Sequence, residues 1–209
     1  MSIIASAKTG GNFEPISEGV HCVCCINVID IGIQVSEKFG NKQHKVMITW
    51  EFPDEMIMIE GENKPRVLSK EYTLSLSEKA SLRKHLEAWR GKKFTETELE
   101  GFDLKNVLSK TCQIQIIHTE KGGNTYANIA SIMALPKGMP ALAPISEIIY
   151  FDLSSETSLT EITKLPEWIQ DKIRTSETYD NLINTHVDNH DGEFEEVDGV
   201  DGGSTDLPF

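Results

Sequence analysis

The segment from Gly19 to Ile33, GVHCVCCINVIDIGI, constrains this chain most, because fifteen consecutive residues dense in Val, Ile and Cys contain no strong helix former. β-Branched side chains lose rotamer freedom in a helix and pack well on a pleated surface, so the segment reads as one long strand. Alternation places Val20, Cys22, Cys24, Ile26 and Val28 on one face. Such a strand needs neighbours to pair its backbone, and the sequence supplies them. After a turn signal at Gly40-Asn41, residues His44 to Phe52 alternate, with Val46, Ile48 and Trp50 opposite Lys45, Met47 and Thr49. Pro53 to Pro65, with Gly61, Asn63 and a proline at each end, predicts an exposed loop. Arg66 to Leu76 reads as a third strand.

A helical insert follows. Ser75-Leu76-Ser77-Glu78 has capping-box spacing, Leu82, Leu86 and Trp89 recur at helical intervals as a core stripe, and Gly91 stops the run. Thr95 to Glu98 is a second capping box, and Asp103 to Leu108 predicts another helical segment. Thr111 to His118 and Thr125 to Leu135 are strands joined by the tight turn Lys121-Gly122-Gly123-Asn124. Three strands, a helical insert and two strands predict a mainly β fold: a five-stranded oligonucleotide-binding-type barrel with the insert between strands 3 and 4. No helix alternates with single strands, which disfavours a doubly wound sheet. The expected organisation is a flexible leader over 1–12, the barrel over 13–136, a linker and short helical extension over 137–186, and a disordered acidic tail over 187–209. The linker is KGMPALAP, and the extension centres on Leu165 to Ile173.

The formal charge of −13 would ordinarily repel phosphate, but its distribution matters more than its sum. Val187 to Phe209 carries eight acids and no Lys or Arg, and setting it aside leaves −5. Between Lys38 and Lys121 fifteen basic residues stand against thirteen acidic ones. The chain is thus a near-neutral body with an acidic appendage. That appendage is rich in Gly and Asp and has too little apolar surface to offset the entropy of ordering it.

Its end, Asp206-Leu207-Pro208-Phe209, puts a proline-stiffened aromatic beside a carboxylate, an anchor suited to an apolar pocket rimmed by Arg or Lys. An acidic, Gly-rich segment closing in this tetrapeptide resembles the C-terminal tip of bacterial and bacteriophage single-stranded DNA-binding proteins. The resemblance implies recruitment of replication or recombination proteins through Asp206, Leu207, Pro208 and Phe209. The runs Thr73 to Lys110 and Gly123 to Met139 are similar to a family of small bacteriophage and prophage proteins associated with replication and recombination. That family usually has a glycine before the lysine preceding the fourth strand, where this chain has Ser109. The second resemblance implies single-stranded DNA binding by the body, and the expected function is sequence-tolerant binding of single-stranded DNA. Charge further predicts that the acidic tail occupies the binding groove until DNA displaces it.

A groove for single strands needs cations and flat side chains. Lys42, Lys45, Arg66, Lys70 and Lys121 lie on or beside the proposed strands, with Phe39, Trp50, Tyr72 and Tyr126 interleaved. Trp50 and Tyr72 are equally candidates for the core. Lys92 and Lys93 fall outside the groove. No catalytic residues, cofactor or metal are expected. His21 stands beside Cys22, Cys24 and Cys25, but Cys112 is remote and no paired Cys-x-x-Cys occurs. Neither a Walker loop nor Gly-x-Ser-x-Gly is present. Reduced thiols, no apolar run of about 18 residues and no secretory-type N-terminus predict a cytoplasmic protein without membrane contact, with homo-oligomerisation open. A protein-interaction or recombination-mediator module without direct DNA binding is the alternative.

Overall fold

The computed structural model describes residues 14–36, 40–154 and 157–190. Six strands, β1 (Gly19–Val35), β2 (Lys42–Ile59), β3 (Glu62–Thr73), β4 (Thr111–Lys121), β5 (Asn124–Met133) and β6 (Ile149–Phe151), form one sheet. Its path is β3-β2-β1-β4-β5, all antiparallel, with the short β6 added parallel to β1 at Asn27 to Ile29. The sheet is open and six-stranded, not a closed five-stranded barrel: β3 and β5 are its edges and do not pair with each other. Helix α1 (Ser81–Arg90) packs on both edge strands at one end of the gap. Tyr72 of β3 bonds His85 at 2.8 Å, and Trp89 Nε1 donates to the Thr111 carbonyl at 3.1 Å.

Two cores share the central strands. On one face Val23, Cys25 and Val28 of β1 meet Val46, Ile48, Trp50 and Phe52 of β2, with Leu82, Leu86 and Trp89 of α1 closing over them. On the other, Ile29, Ile31 and Met47 pack against Phe151, Leu153, Ile162, Leu165, Ile169 and Ile173. After the short α3 (Thr157–Glu161), the second core is built by the 3-10 turn Ile162–Lys164, α4 (Glu167–Arg174) and α5 (Glu177–His190) together with β6, so the segment after residue 136 forms a second layer on the sheet. Helix α5 runs to His190, across the expected start of the acidic tail at 187.

Alternation in β1 failed for a local reason. The register with β2 shifts between Cys25 and Asn27, and the extra residue reverses which side chains face which core. Val23 and Cys25 therefore share a core with Val28, while Val20 is exposed. Residues 53–65 are likewise not a loop. β2 and β3 continue as a ribbon from Met56↔Pro65 to Ile59↔Glu62, and Glu60 and Gly61, at φ 52° and 85°, make the hairpin turn. Pro65 is tolerated because β3 is an edge strand.

The box at Thr95 forms with both reciprocal bonds. The one at Ser75 does not, because Ser75 Oγ accepts from the Ser77 amide in a local turn and α1 starts later, with Ala80 at its N-cap. Gly91 ends α1 at φ 66°. Asp103 caps a single 3-10 turn over Leu104–Val107.

Candidate nucleic-acid interface

The β2–β3 ladder separates the cations expected to line one groove. Even-numbered β2 residues Val46, Ile48, Trp50 and Phe52 face the first core, and their partners Tyr72, Lys70, Leu68 and Arg66 share that side of the sheet. Trp50 is fully buried, tilted against Trp89 at 5.8 Å, and Tyr72 is 2% exposed. Both are core residues and present no face to a base. Burial also pushes the Tyr72 phenol far above its ordinary range, and its hydroxyl shares a hydrogen bond with His85 Nδ1. His85 is held below the usual imidazole value by burial and then by the charge of Lys70.

Lys45 lies on the opposite side, 4.0 Å from Glu71, which also binds Lys172 of α4. Lys42 pairs with Glu177 of α5 at 2.7 Å. The second layer therefore engages Lys42, whereas Lys45 is met within the sheet by Glu71 of β3. Arg66 donates to the Glu14 carbonyl. It belongs to a set of side chains that fix residues 14–18: His118 Nε2 is 2.8 Å from the Ile16 carbonyl, and His21 Nε2 is 2.9 Å from that of Ser17. Ile16 is thereby seated in the first core. Phe39 and the terminal residues Asp206, Leu207, Pro208 and Phe209 lie outside the described residues.

Lys121 and Tyr126 are brought together. Gly122 and Gly123, at φ 61° and 81°, form the two-residue turn between β4 and β5. The register Lys121↔Asn124 and Thr119↔Tyr126 makes Lys121 and Tyr126 diagonal neighbours on one face. Inward-facing Cys112, Ile114 and Ile116 fill the core, which leaves Gln113, Gln115, Ile117 and Thr119 outward. Across from them stand Asn124, Tyr126, Asn128 and Ser131, and β1 adds Val20 and Cys22. Tyr126 is 49% exposed. Asn128 Nδ2 donates to Thr119 Oγ1 at 2.7 Å and to the Tyr126 carbonyl at 3.1 Å, and Ser131 Oγ donates to Gln115 Oε1 at 3.2 Å. Among the described residues these outward positions of β4 and β5 include no Asp or Glu, in a chain of formal charge −13. The period-2 pattern of Thr111 to Lys121 already carried this face; weighting basic residues alone hid it.

One functional-looking residue gave no signal in the sequence. Glu51 is fully buried, and its two carboxylate oxygens accept from the amides of Ile145 and Ser146 at 2.7 and 2.9 Å. Leu142 N donates to Thr111 Oγ1 at 2.8 Å, and Cys22 Sγ lies 3.9 Å from Met139 Sδ. The segment expected to be a linker is thus laid across β4, β1 and β2 and bounds the carboxylate-free face on one side.

Cys24, Cys25 and Cys112 are held as thiols. Burial, and after it the charge of Glu51, pushes Cys24 up to about 11, and burial raises Cys25 and Cys112 further. His21 is turned to Asp54 at 2.9 Å and to Ser17, away from them. Among the described residues no cluster of three metal-ligating side chains occurs, and no helix is long and apolar enough to cross a membrane. No protein-family model matches the chain, and comparison with curated proteins finds no match.

Proposed function

We propose that this protein binds single-stranded DNA without sequence preference through the outward face of β1, β4 and β5. In this reading Asp206 to Phe209 recruit replication or recombination proteins to the bound strand. The observation that carries the reading is the carboxylate-free face itself, which joins an exposed tyrosine to a lysine and a grid of side-chain amides and hydroxyls. Every base offers a π-face, so an exposed aromatic gives sequence-tolerant affinity, while lysine displaces counterions from phosphate. The Asn128 and Gln115 amides, already tied to Thr119 and Ser131, lose little freedom on binding.

The path β3-β2-β1-β4-β5, with helices between β3 and β4, supports an oligonucleotide-binding-type barrel left open between its edge strands. In such barrels strands 2 and 3 form the usual ligand face. Here the second layer covers one side of β1 and β2 and engages Lys42, while Glu71 of β3 meets Lys45, which moves the available surface to β4 and β5.

The test is fluorescence anisotropy of labelled oligo-dT against a duplex of equal length. Tryptophan quenching is a poor readout, since Trp50 and Trp89 are buried and the exposed Trp168 lies on α4 in the second layer. Loss of one stacking partner in Tyr126→Ala should weaken binding by about 1–3 kcal/mol, roughly 5- to 150-fold. Lys121→Ala should reduce the salt slope by about 0.7. Unaltered affinity in Tyr126→Ala would refute the placement, and no binding by the unmodified protein would refute the function. Val20 and Ile117, at 53% and 42% exposure, favour a second reading in which this face docks a protein and no DNA is bound. A salt-insensitive protein complex without oligo-dT binding would select it.

A further inference from the structure

The two edges of the sheet differ in how they are protected. β3 carries Glu62, Lys64, Pro65, Arg66, Lys70 and Glu71, the charges and proline with which edge strands avoid pairing. β5, Asn-Thr-Tyr-Ala-Asn-Ile-Ala-Ser-Ile-Met, has no charged residue and no proline over ten positions. Its other neighbour would be β3, and the two do not pair. Because Lys121 and Asn124 flank a two-residue turn, they form a hydrogen-bonded pair, and bonding alternates along the ladder from there. The N–H and C=O groups of Asn124, Tyr126 and Asn128 therefore point to β4, and those of Thr125 and Ala127 point outward. Among the described residues no backbone hydrogen bond outside the β4–β5 ladder reaches β5. Gly91, just past α1, lies against Ala134, just past the far end of β5, while Thr125 is exposed and the side chain of Ala127 is half-buried against the first core.

We infer that β5 is a dimerisation strand and that its occupant is the β5 of a second copy of this chain. The segment is self-complementary about a two-fold axis at Ala127. In that antiparallel register the two Ala127 residues exchange both of their outward hydrogen bonds. Thr125 then stands opposite the second copy's Ile129, and Tyr126 opposite its Asn128, so no like charges meet anywhere along the seam. A two-fold contact of this kind closes on itself and does not propagate, which suits an isologous pair. A charged peptide has no complementary charge to meet on β5, whereas the strand itself satisfies every outward group. The dimer would also set two Tyr126–Lys121 faces edge to edge in one continuous sheet, but it does not depend on DNA binding.

The experiment is sedimentation equilibrium of the full chain without DNA, over a concentration series. A mass rising from 23.4 kDa toward twice that value is expected. Thr125→Lys places a charge on the exposed edge, and Ala127→Pro removes an N–H that β4 does not use; each should hold the protein at the monomer mass with an unchanged circular dichroism spectrum. Should the proline variant misfold, the lysine variant decides. A monomer at all concentrations, or a dimer that persists in a folded Thr125→Lys protein, overturns the inference. Either result leaves the anisotropy test of DNA binding standing on its own.

Discussion

Replacing Glu51 by Ala should loosen the whole second layer. Its carboxylate, fully buried, accepts from two backbone amides in sequence, Ile145 and Ser146. Hydrogen bonds to a charged group contribute about 1.5–3 kcal/mol each, and removing the acceptor strands two amides that had been desolvated around it. The two terms overlap, so a loss of about 3–5 kcal/mol is expected for Glu51→Ala. Glu51→Gln keeps one acceptor and turns an N–H₂ toward the other amide, which should cost about 2 kcal/mol. With a urea slope near 2 kcal/mol/M, the Ala variant should unfold at a midpoint about 2 M lower. Hydrogen exchange supplies the local check. The amides of Ile145 and Ser146 should lose protection in Glu51→Ala, and β6 and α4, which follow them in the chain, should open with them. A midpoint within about 0.3 M of the wild type, with those amides still protected, would refute the view that this carboxylate holds the crossing segment down.

Two further outcomes follow from local geometry. Ser109 sits at φ 59°, in the left-handed region, so Ser109→Gly should stabilise the protein by about 0.5–1 kcal/mol, read as a higher urea midpoint with unchanged slope. The low proton affinity of His85 in the folded state means that the unfolded chain binds a proton first as pH falls. Its contribution to stability is full above the unfolded imidazole value of about 6.5 and is lost as pH drops from there toward the lower folded value. A His85→Gln variant should show a flatter stability profile over that window, and an unchanged slope would remove His85 as its source.

The parts of the fold that follow from alternation and from a satisfied cap were legible. Val46, Ile48 and Trp50 face the core their spacing assigned them, Thr95 and Glu98 cap each other, and Gly91 stops α1. Reading failed where one residue changes the phase or where a distant partner decides. The bulge after Cys25 reverses the faces of β1, and nothing in the residue types announces it. Pro53 and Pro65 are turn formers by composition, yet an edge strand accommodates Pro65 and the ribbon persists. The run Ile148 to Phe151 had strand character but was too short to weigh against its Pro-rich approach, and it became β6 only by reaching β1. Cation counting picked out Lys121, which stands beside Tyr126 on the carboxylate-free face, while it could not foresee that Glu71 and Glu177 would meet Lys45 and Lys42. Ser109 is the converse case. Its positive φ is the conformation glycine adopts at least cost, and this chain meets it with a serine.

Because β1 and β2 are clad on both sides, a fragment trimmed to the first five strands would be a poor stand-in for the protein. Ending the chain near residue 136 would bare Ile29, Ile31 and Met47, each now at most 1% exposed. Returning three such side chains to water costs about 1.5–3 kcal/mol apiece, a large share of what holds a typical domain together. The same cut would unmask a greasy stripe down the middle of the sheet and free Lys42 from Glu177, so such a fragment would be sticky toward apolar and anionic surfaces alike. Affinity measured on that fragment would describe a surface the intact chain keeps covered.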